Sequence, residues 1–135
     1  MANAVYPLYK QALLDADTGV DLIAGDVRAI LVDLADYTYS AAHNFLDDVP
    51  AGARVAVSAS LTTKSVTDGT FDCDAWTWSS VTGDPSEAII LYLHTGTEST
   101  SRLVVFLDTG QTGLPVTPNG GNITFTPNAS GVFTL

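Results

Sequence analysis

EAIILYLHTGTESTSRLVVFLDT, residues 87–109, is the stretch that decides the fold. Its two apolar runs, EAIILYLHT and SRLVVFLDT, are rich in the aliphatic, β-branched and aromatic residues that favour strands, and they flank the polar tip GTEST. A short polar tip between two such runs is typical of an antiparallel hairpin. We therefore expect the rest of the chain to be built around a hairpin that runs from Glu87 to Thr109.

Four segments before this hairpin also have strand-like patterns. Residues 27–34 (VRAILVDL) form a β-rich apolar run, which is typical of a strand covered on most of both faces. Residues 53–61 (ARVAVSASL) alternate along their length, and this alternation predicts a half-buried strand. Residues 64–67 and 71–79 (FDCDAWTWS) are predicted strands joined by an Asp-Gly turn.

The two ends of the chain carry shorter patterns. Residues 7–16 begin with a proline and place apolar side chains at helical spacing, which predicts a short helix, with an extended arm as the alternative. Residues 20–23 are a candidate for a brief strand. Residues 122–127 (NITFTP) and 131–135 (GVFTL) predict two final strands, the last of them tied into a sheet.

These patterns together predict the fold class. Seven or eight short strands with turn signals between them, and one or two short helices, favour an antiparallel β-sandwich or a flattened barrel. A length of 135 residues is near the commonest size of one domain. We therefore expect a mainly β, single domain over residues 1–135, in which residues 1–19 are a possible N-terminal helix or arm.

Composition and charge weigh against several classes of function. The chain has 15 Asp and Glu residues against five Lys and Arg residues, and its formal net charge is -10. The cations are scattered singly, whereas binding to nucleic acid or to an anionic membrane needs clustered cations. A single cysteine excludes an internal disulfide, and the sequence shows no signal peptide or membrane-spanning run. We predict synthesis in a reducing cytoplasm, with neither nucleic acid nor membrane as a partner.

His43 and Asp47 are the strongest candidates for catalysis. A short helix over residues 41–49, capped by Ser40 and stopped by Pro50, would place them on one face, where a carboxylate can orient a histidine as a general base. The sequence has no GxSxG motif and no second histidine at a supporting spacing. A satisfied loop histidine is therefore the favoured interpretation, and we predict no catalytic residue.

Metal and cofactor sites are not predicted either. Asp68, Asp72 and Asp74 do not follow the ligand order of an EF-hand calcium loop. The two histidines and Cys73 lack the paired spacing of a zinc site. Cys73 has apolar neighbours and no adjacent cation, so we expect its thiol to be inert packing.

The segment LADYTYSAAHNFLDDVPAGARV, residues 34–55, is unusually rich in large apolar side chains for a connection between strands. Left bare it would aggregate, so it must fold back on its own domain or lie against another chain. We favour contact with another chain, and the two tryptophans downstream are a further candidate for an interface or a core. The predicted interface residues, in decreasing order, are Tyr37, Tyr39, Phe45 and Leu46, then Trp76 and Trp78, then Tyr6 and Tyr9.

Three longer strings, taken in order, resemble a known family. LVDLADYTYSAAHNFLDDVPAGARV, GDPSEAIILYLHTGTESTSRLVVFLDTG and GLPVTPNGGNITFT are similar to small virion structural proteins of tailed bacteriophages, over about residues 6–125. ADYTYSAAHNFLDD and TGTESTSRLV are the most specific parts, and they contain no catalytic motif. The resemblance implies a place in the virus particle rather than a reaction, and it carries over no functional residues.

The expected function is therefore non-enzymatic. The resemblance and the acidic surface favour a head decoration or minor capsid protein that docks on the major capsid protein, or on other virion proteins, and braces them. Such a protein would be made in the host bacterial cytoplasm, lie on the outer surface of the head, and form a homo-oligomer, as a dimer or trimer. One alternative is a tail or head-fibre module that binds host surface glycans through Trp76 and Trp78. Another is a small hydrolase that uses His43 and Asp47.

Overall fold

A computed structural model describes residues 3–135 of the chain. Within these residues the fold is mainly β, with ten strands in antiparallel sheets and one α-helix. The helix α1 spans Pro7–Leu14, and 3-10 turns occupy Leu46–Asp48, Ala51–Ala53 and Glu98–Thr100. The strands are β1 (Ala4–Val5), β2 (Val27–Val32), β3 (Arg54–Val57), β4 (Ser65–Thr67), β5 (Thr70–Asp72), β6 (Trp76–Trp78), β7 (Ala88–Leu93), β8 (Arg102–Leu107), β9 (Ile123–Phe125) and β10 (Phe133–Thr134).

The predicted hairpin is the centre of the main sheet. Five antiparallel strands lie in the order β1-β8-β7-β2-β3, and β7 pairs with β8 so that Ile90 lies opposite Phe106. All six residues of β7 are buried, because the sheet is covered on both faces. The hairpin is therefore confirmed, and so is the core strand predicted at residues 27–34, which ends at Val32.

One face of the main sheet is covered by the long connection between β2 and β3. Cross-strand neighbours share a face of a sheet, so Ile90 and Phe106 point to the same side. On that side the rings of Tyr37 and Tyr39 lie 6.4 and 5.4 Å from the Phe106 ring, measured between centroids. Residues 33–53 thus form an irregular layer instead of further strands.

The opposite face is covered by two small sheets, with strand orders β10-β5-β4 and β6-β9. Val105 and Leu107 of β8 share a cleft with Phe133 of β10, and the indole nitrogen of Trp78 donates a hydrogen bond to the Ala29 carbonyl at 3.1 Å. This arrangement is consistent with the predicted antiparallel β-sandwich. No sheet of residues 3–135 closes into a barrel, and the strands number ten instead of seven or eight.

The single strand predicted at residues 71–79 is wrong. β5 ends at Asp72 and β6 begins at Trp76, because the two halves belong to different sheets. Phe71 pairs with Phe133, whereas Trp76 pairs with Phe125. Aromatic side chains on both faces of this segment are explained by the change of sheet.

Two other element predictions are wrong for a shared reason. The strand predicted at residues 20–23 is replaced by a turn over residues 22–24, because the Asp21 carboxylate accepts the backbone N–H groups of Ile23 and Ala24. Residues 41–49 contain a 3-10 turn instead of a helix, and there the Asp48 carboxylate accepts two backbone N–H groups just before the turn. In both segments an aspartate competes with regular structure for backbone donors.

The strand predicted at residues 53–61 is confirmed only as β3, Arg54–Val57, and the other boundaries are close to those predicted. The helix predicted at residues 7–16 is confirmed as α1, and the strands predicted at residues 64–67, 122–127 and 131–135 are confirmed as β4, β9 and β10 in shorter form. No helix of the described chain has the length and apolar character needed to cross a membrane.

Candidate functional site

The aromatic segment after β2 folds back on its own domain. Tyr37 is 3% exposed and Leu46 is 7% exposed, while Tyr39 and Phe45 are partly buried. Phe45 lies beneath the guanidinium group of Arg102, whose carbon is 5.0 Å from the ring centre. The expectation of contact with another chain is therefore corrected for Tyr37 and Leu46, which have almost no surface to offer. For Tyr39 and Phe45 it stays a prediction.

The second and third groups of interface candidates are core residues. Trp76 and Trp78 are buried and meet edge to face at 5.9 Å, and the Phe125 ring lies 4.7 Å from that of Trp76. Tyr6 and Tyr9 are also buried. These four residues are thus not the contact surface, because their packing within the domain removes them from solvent. For the same reason the tryptophans offer no exposed platform on which a sugar could stack.

A chain of hydrogen bonds runs through the buried layer. The hydroxyl of Tyr37 lies 2.9 Å from that of Tyr6 and 2.8 Å from Nδ1 of His43. Burial raises the pKa of Tyr37 to about 12, and it raises the pKa of Tyr6 as well, with the nearby Tyr37 adding to the effect. Both hydroxyls therefore stay neutral at physiological pH and bind the segment to the strand region before α1.

The catalytic alternative finds no support in this geometry. In residues 3–135 the side-chain hydrogen bond of His43 is made with Tyr37, and Asp47 is exposed on the 3-10 turn. The helix that would align His43 with Asp47 is replaced by that turn. His94 lies 3.4 Å from the Tyr92 hydroxyl, so each histidine has a tyrosine as its partner instead of a nucleophile.

Three carboxylates that the sequence did not single out lie close together. Oxygens of Asp33, Asp36 and Asp84 come within 4.8 Å of one another. The antiparallel pairing of Val32 with Ala88 explains this, because residues after β2 and residues before β7 meet at the same end of the sheet. Asp33 is buried and accepts the backbone N–H of Ala35, while the other two carboxylates are exposed to water. The turn that follows β2 thus accounts for the buried carboxylate of Asp33.

Cys73 lies between β5 and β6 and is half-buried. Burial raises the pKa of its thiol to about 12, and the neighbouring Asp72 and Asp74 add to the rise. The thiolate is the reactive form of cysteine, so this thiol is unreactive near neutral pH. This agrees with the inert role predicted from the sequence.

One apolar groove opens on the surface between α1 and the three-stranded sheet. Its volume is about 210 Å³. At its rim Val66 is 53% exposed and Leu135 is 61% exposed. We call this opening the terminal groove; its principal lining residues are Leu13, Leu22, Val66, Phe71, Phe133 and Leu135.

The sequence alone does not indicate the terminal groove, because its walls come from four segments that lie far apart along the chain. The signal that could have revealed part of it is the spacing of Tyr9 and Leu13, four residues apart on α1. This pair forms an apolar stripe that needs cover. The alternation of the last strand indicated a sheet but not which side of it would stay open.

No protein-family model matches the chain, and no curated protein sequence matches it significantly. The terminal groove is therefore identified as a candidate site by its geometry alone. An apolar groove with exposed aliphatic rim residues can hold an apolar group of another molecule.

Proposed function

We propose that the chain is a non-enzymatic structural protein of a bacteriophage virion, most specifically a capsid decoration or minor capsid protein that docks on major capsid subunits. The observation that carries this proposal is the terminal groove. Exposed apolar openings rimmed by polar surface mark sites of protein–protein contact. The sequence strings that resemble phage virion proteins favour a virus particle as the place where this contact is made.

The size of the groove favours a protein side chain over a small-molecule ligand. Pockets for drug-sized ligands have volumes of roughly 300–1,000 Å³, whereas this groove has a volume of about 210 Å³. A volume of this size suits one or two apolar side chains. Docking through a few such anchors is how most interfaces concentrate their binding energy.

Charge supports a place on the outside of the particle. With a net charge of -10 the domain repels packaged nucleic acid and stays dispersed before it meets its docking site. The groove interrupts this acidic surface with uncharged side chains such as Val66 and Leu135. The net charge would therefore keep the free domain dispersed, and the groove would provide a local apolar contact for attachment.

The test is to count copies of the chain in particles purified from the phage that encodes it, by quantitative mass spectrometry. We expect copy numbers on the order of hundreds, because a decoration protein occupies repeated positions of a symmetric lattice. Absence of the chain from purified particles would overturn the proposal.

A matched pair of variants tests the groove itself. Val66→Lys places a charge at the apolar rim and should lower the copy number by about tenfold or more, which corresponds to about 1.4 kcal/mol of lost binding free energy. Ser99→Lys adds the same charge at the exposed tip of the β7–β8 hairpin and should keep the wild-type number. Melting temperatures of the isolated variants check that both are folded. Normal incorporation of folded Val66→Lys would eliminate the groove as the anchor.

A further inference from the structure

A second opening lies on the other side of β10 from the terminal groove. Its volume is about 480 Å³, and it separates β1, at one edge of the main sheet, from β10, at one edge of the three-stranded sheet. We call it the edge cleft. The residues Val105 and Leu107 of β8 form an apolar floor together with Val132, whereas Asn3, Lys10 and Thr134 make the walls polar.

The free edge of β1 faces outward with unused backbone groups. Ala4 lies opposite Phe106, and the Tyr6 N–H donates to the Val104 carbonyl at 3.0 Å. Residues of an antiparallel strand alternate between bonding to the neighbour and pointing away from it. The N–H and C=O of Val5, which lines the cleft, therefore point away from β8.

This edge is held in place before any partner arrives. The Asn3 side chain accepts the backbone N–H groups of Asp108 and Thr109 and donates to the Thr109 carbonyl. These three bonds fix the start of β1 against the end of β8. An edge that is already ordered loses little conformational entropy when another strand adds to it.

The strand β10 supplies the opposite wall of the cleft. Phe133 and Thr134 pair with β5 on one side only, so within residues 3–135 the other side of β10 has no strand partner. Two unpaired strand edges thus border one apolar floor. An extended polypeptide can satisfy such an edge with main-chain hydrogen bonds and place alternate side chains on the floor.

A cation at the cleft indicates the charge of the occupant. Lys10 lines the cleft and is exposed. In the described part of the chain it is the one cation with neither a salt bridge nor a side-chain hydrogen bond. The other cations are engaged: Arg28 with Asp26, Arg54 with Glu98, Arg102 with Asp17, and Lys64 with the Gly25 carbonyl. An acidic group on an entering segment would give Lys10 its partner.

We infer that the edge cleft binds an extended segment of the docking partner by strand addition, with alternate apolar side chains on the floor and a carboxylate at Lys10. The inference rests on the proposed function, since it identifies the part of the partner that the domain recognises. Phe133 lines both the cleft and the terminal groove, so the two openings lie next to each other. A second copy of the chain is the less favoured occupant, because each copy carries a net charge of -10 and presents the same Lys10.

The direct test uses overlapping synthetic peptides that cover the major capsid protein encoded in the same genome. Each peptide is titrated into the isotope-labelled full chain and followed by amide NMR. We expect one peptide, with alternating apolar residues and an acidic residue, to shift the amides of Val5 and Phe133 and to slow hydrogen exchange at Val5. If no peptide binds, or if the shifts lie away from both strand edges, the inference is overturned.

Variants at Lys10 and Val5 separate the contribution of the charge from that of the backbone, and Gln11 supplies the control. Lys10→Glu should weaken the peptide by about tenfold, and a peptide whose acidic residue is changed to lysine should recover that loss. Gln11→Glu adds a negative charge at the next position of α1 and should leave binding nearly unchanged. Val5→Pro removes an outward N–H, which edge strands tolerate, together with a side chain that packs against the core. Val5→Ala removes most of the same side chain but keeps the N–H. If the backbone edge binds the peptide, Val5→Pro should weaken binding clearly more than Val5→Ala.

Particle counts keep this inference distinct from the proposed function. If the wild-type chain is abundant in particles but folded Lys10→Glu and Val5→Pro are incorporated equally well, the cleft inference fails while docking stands. Sedimentation of the isolated chain tests whether the occupant of the cleft is a second copy. Self-association that Val5→Pro abolishes would assign the cleft to a second copy and would overturn a partner segment.

Discussion

The hydroxyl of Tyr37 joins separate parts of the chain at a single buried point. It contacts the hydroxyl of Tyr6, which follows β1, and Nδ1 of His43, within the connection between β2 and β3. A buried hydroxyl that loses its partner costs about 1–3 kcal/mol. The network therefore keeps Tyr6 satisfied where water is excluded, and it also holds the irregular layer against the main sheet.

Tyr37→Phe should lower the free energy of unfolding by about 1–3 kcal/mol, because the Tyr6 hydroxyl would lose its buried partner. Urea denaturation followed by circular dichroism measures this change. Tyr39→Phe is the matched control: the Tyr39 hydroxyl makes no hydrogen bond within residues 3–135, so a change below about 0.5 kcal/mol is expected. Equal losses in the two variants would show that the hydroxyl network has no special role.

Asp84→Asn should stabilise the domain slightly. The carboxylates of Asp33, Asp36 and Asp84 lie within 4.8 Å of one another, and like charges at this separation repel. We expect a rise in melting temperature of about 1–2 °C at low ionic strength that disappears in high salt. Asp47→Asn, which removes an exposed charge outside the cluster, should show a smaller rise.

The opposite sign would change the interpretation of these carboxylates. If the cluster held a cation, Asp84→Asn would lower the melting temperature, and added calcium would raise that of the wild-type chain. Thermal scans with calcium and with a chelator separate the two cases.

For single residues, the sequence predicts a role that depends on local neighbours better than a role that depends on tertiary contacts. The inert thiol of Cys73 follows from its local neighbours. The burial of Tyr37 does not, because the ring that covers it, Phe106, lies on a strand far along the chain. An aromatic-rich connection is equally compatible with folding back and with docking, and only the tertiary contacts decide between them.

Among the elements, the 3-10 turns after β2 are held in place by one arginine. Arg54, at the start of β3, donates to the backbone carbonyls of Leu46 and Val49 and forms a salt bridge to Glu98 at 2.9 Å. Its side chain is only 12% exposed. It therefore satisfies the Val49 carbonyl, which the end of the turn otherwise leaves without a donor, and adds a second donor to the Leu46 carbonyl.

Arg54→Met should lower the free energy of unfolding by about 1–3 kcal/mol, because it leaves the Val49 carbonyl without the Arg54 donor, while the Leu46 carbonyl keeps the N–H of Val49 and the apolar stem is retained. Glu98→Gln, its control, removes only the exposed end of the salt bridge and should have a much smaller effect. Chemical denaturation of both variants gives the comparison. A larger loss for Glu98→Gln would mean that the ion pair, rather than the backbone contacts, holds the turns.

Elements whose pattern is local and strong were predictable from the sequence, and elements that depend on distant partners were not. The β7–β8 hairpin and β2 follow from continuous apolar runs beside clear turn residues. The division of residues 71–79 between two sheets depends on β9 and β10, which come much later in the chain. The terminal groove and the edge cleft both depend on β10, so neither could be placed from the sequence.

In the whole molecule, ionisable rings are built into the apolar layers. All five tyrosines have a raised pKa, with burial as the first cause: the pKa reaches about 12 for Tyr9 and Tyr37, and it is shifted upward for Tyr6, Tyr39 and Tyr92. In the unfolded chain a tyrosine ionises near pH 10. The folded state therefore keeps protons that the unfolded state has already released.

This difference predicts a steep loss of stability in alkali. Between about pH 10 and pH 12 the folded chain binds more protons than the unfolded chain, so the free energy of unfolding falls as pH rises, by up to about 1.4 kcal/mol per pH unit for each buried tyrosine. Below pH 10 both states are protonated and this contribution is fully present. Tyrosinate absorbance should consequently rise together with the loss of near-ultraviolet circular dichroism. The free energy of unfolding of Tyr37→Phe should fall less steeply with pH, because the contribution of one tyrosine is missing. Smooth titration of all five rings near pH 10 in a still-folded chain would contradict their burial.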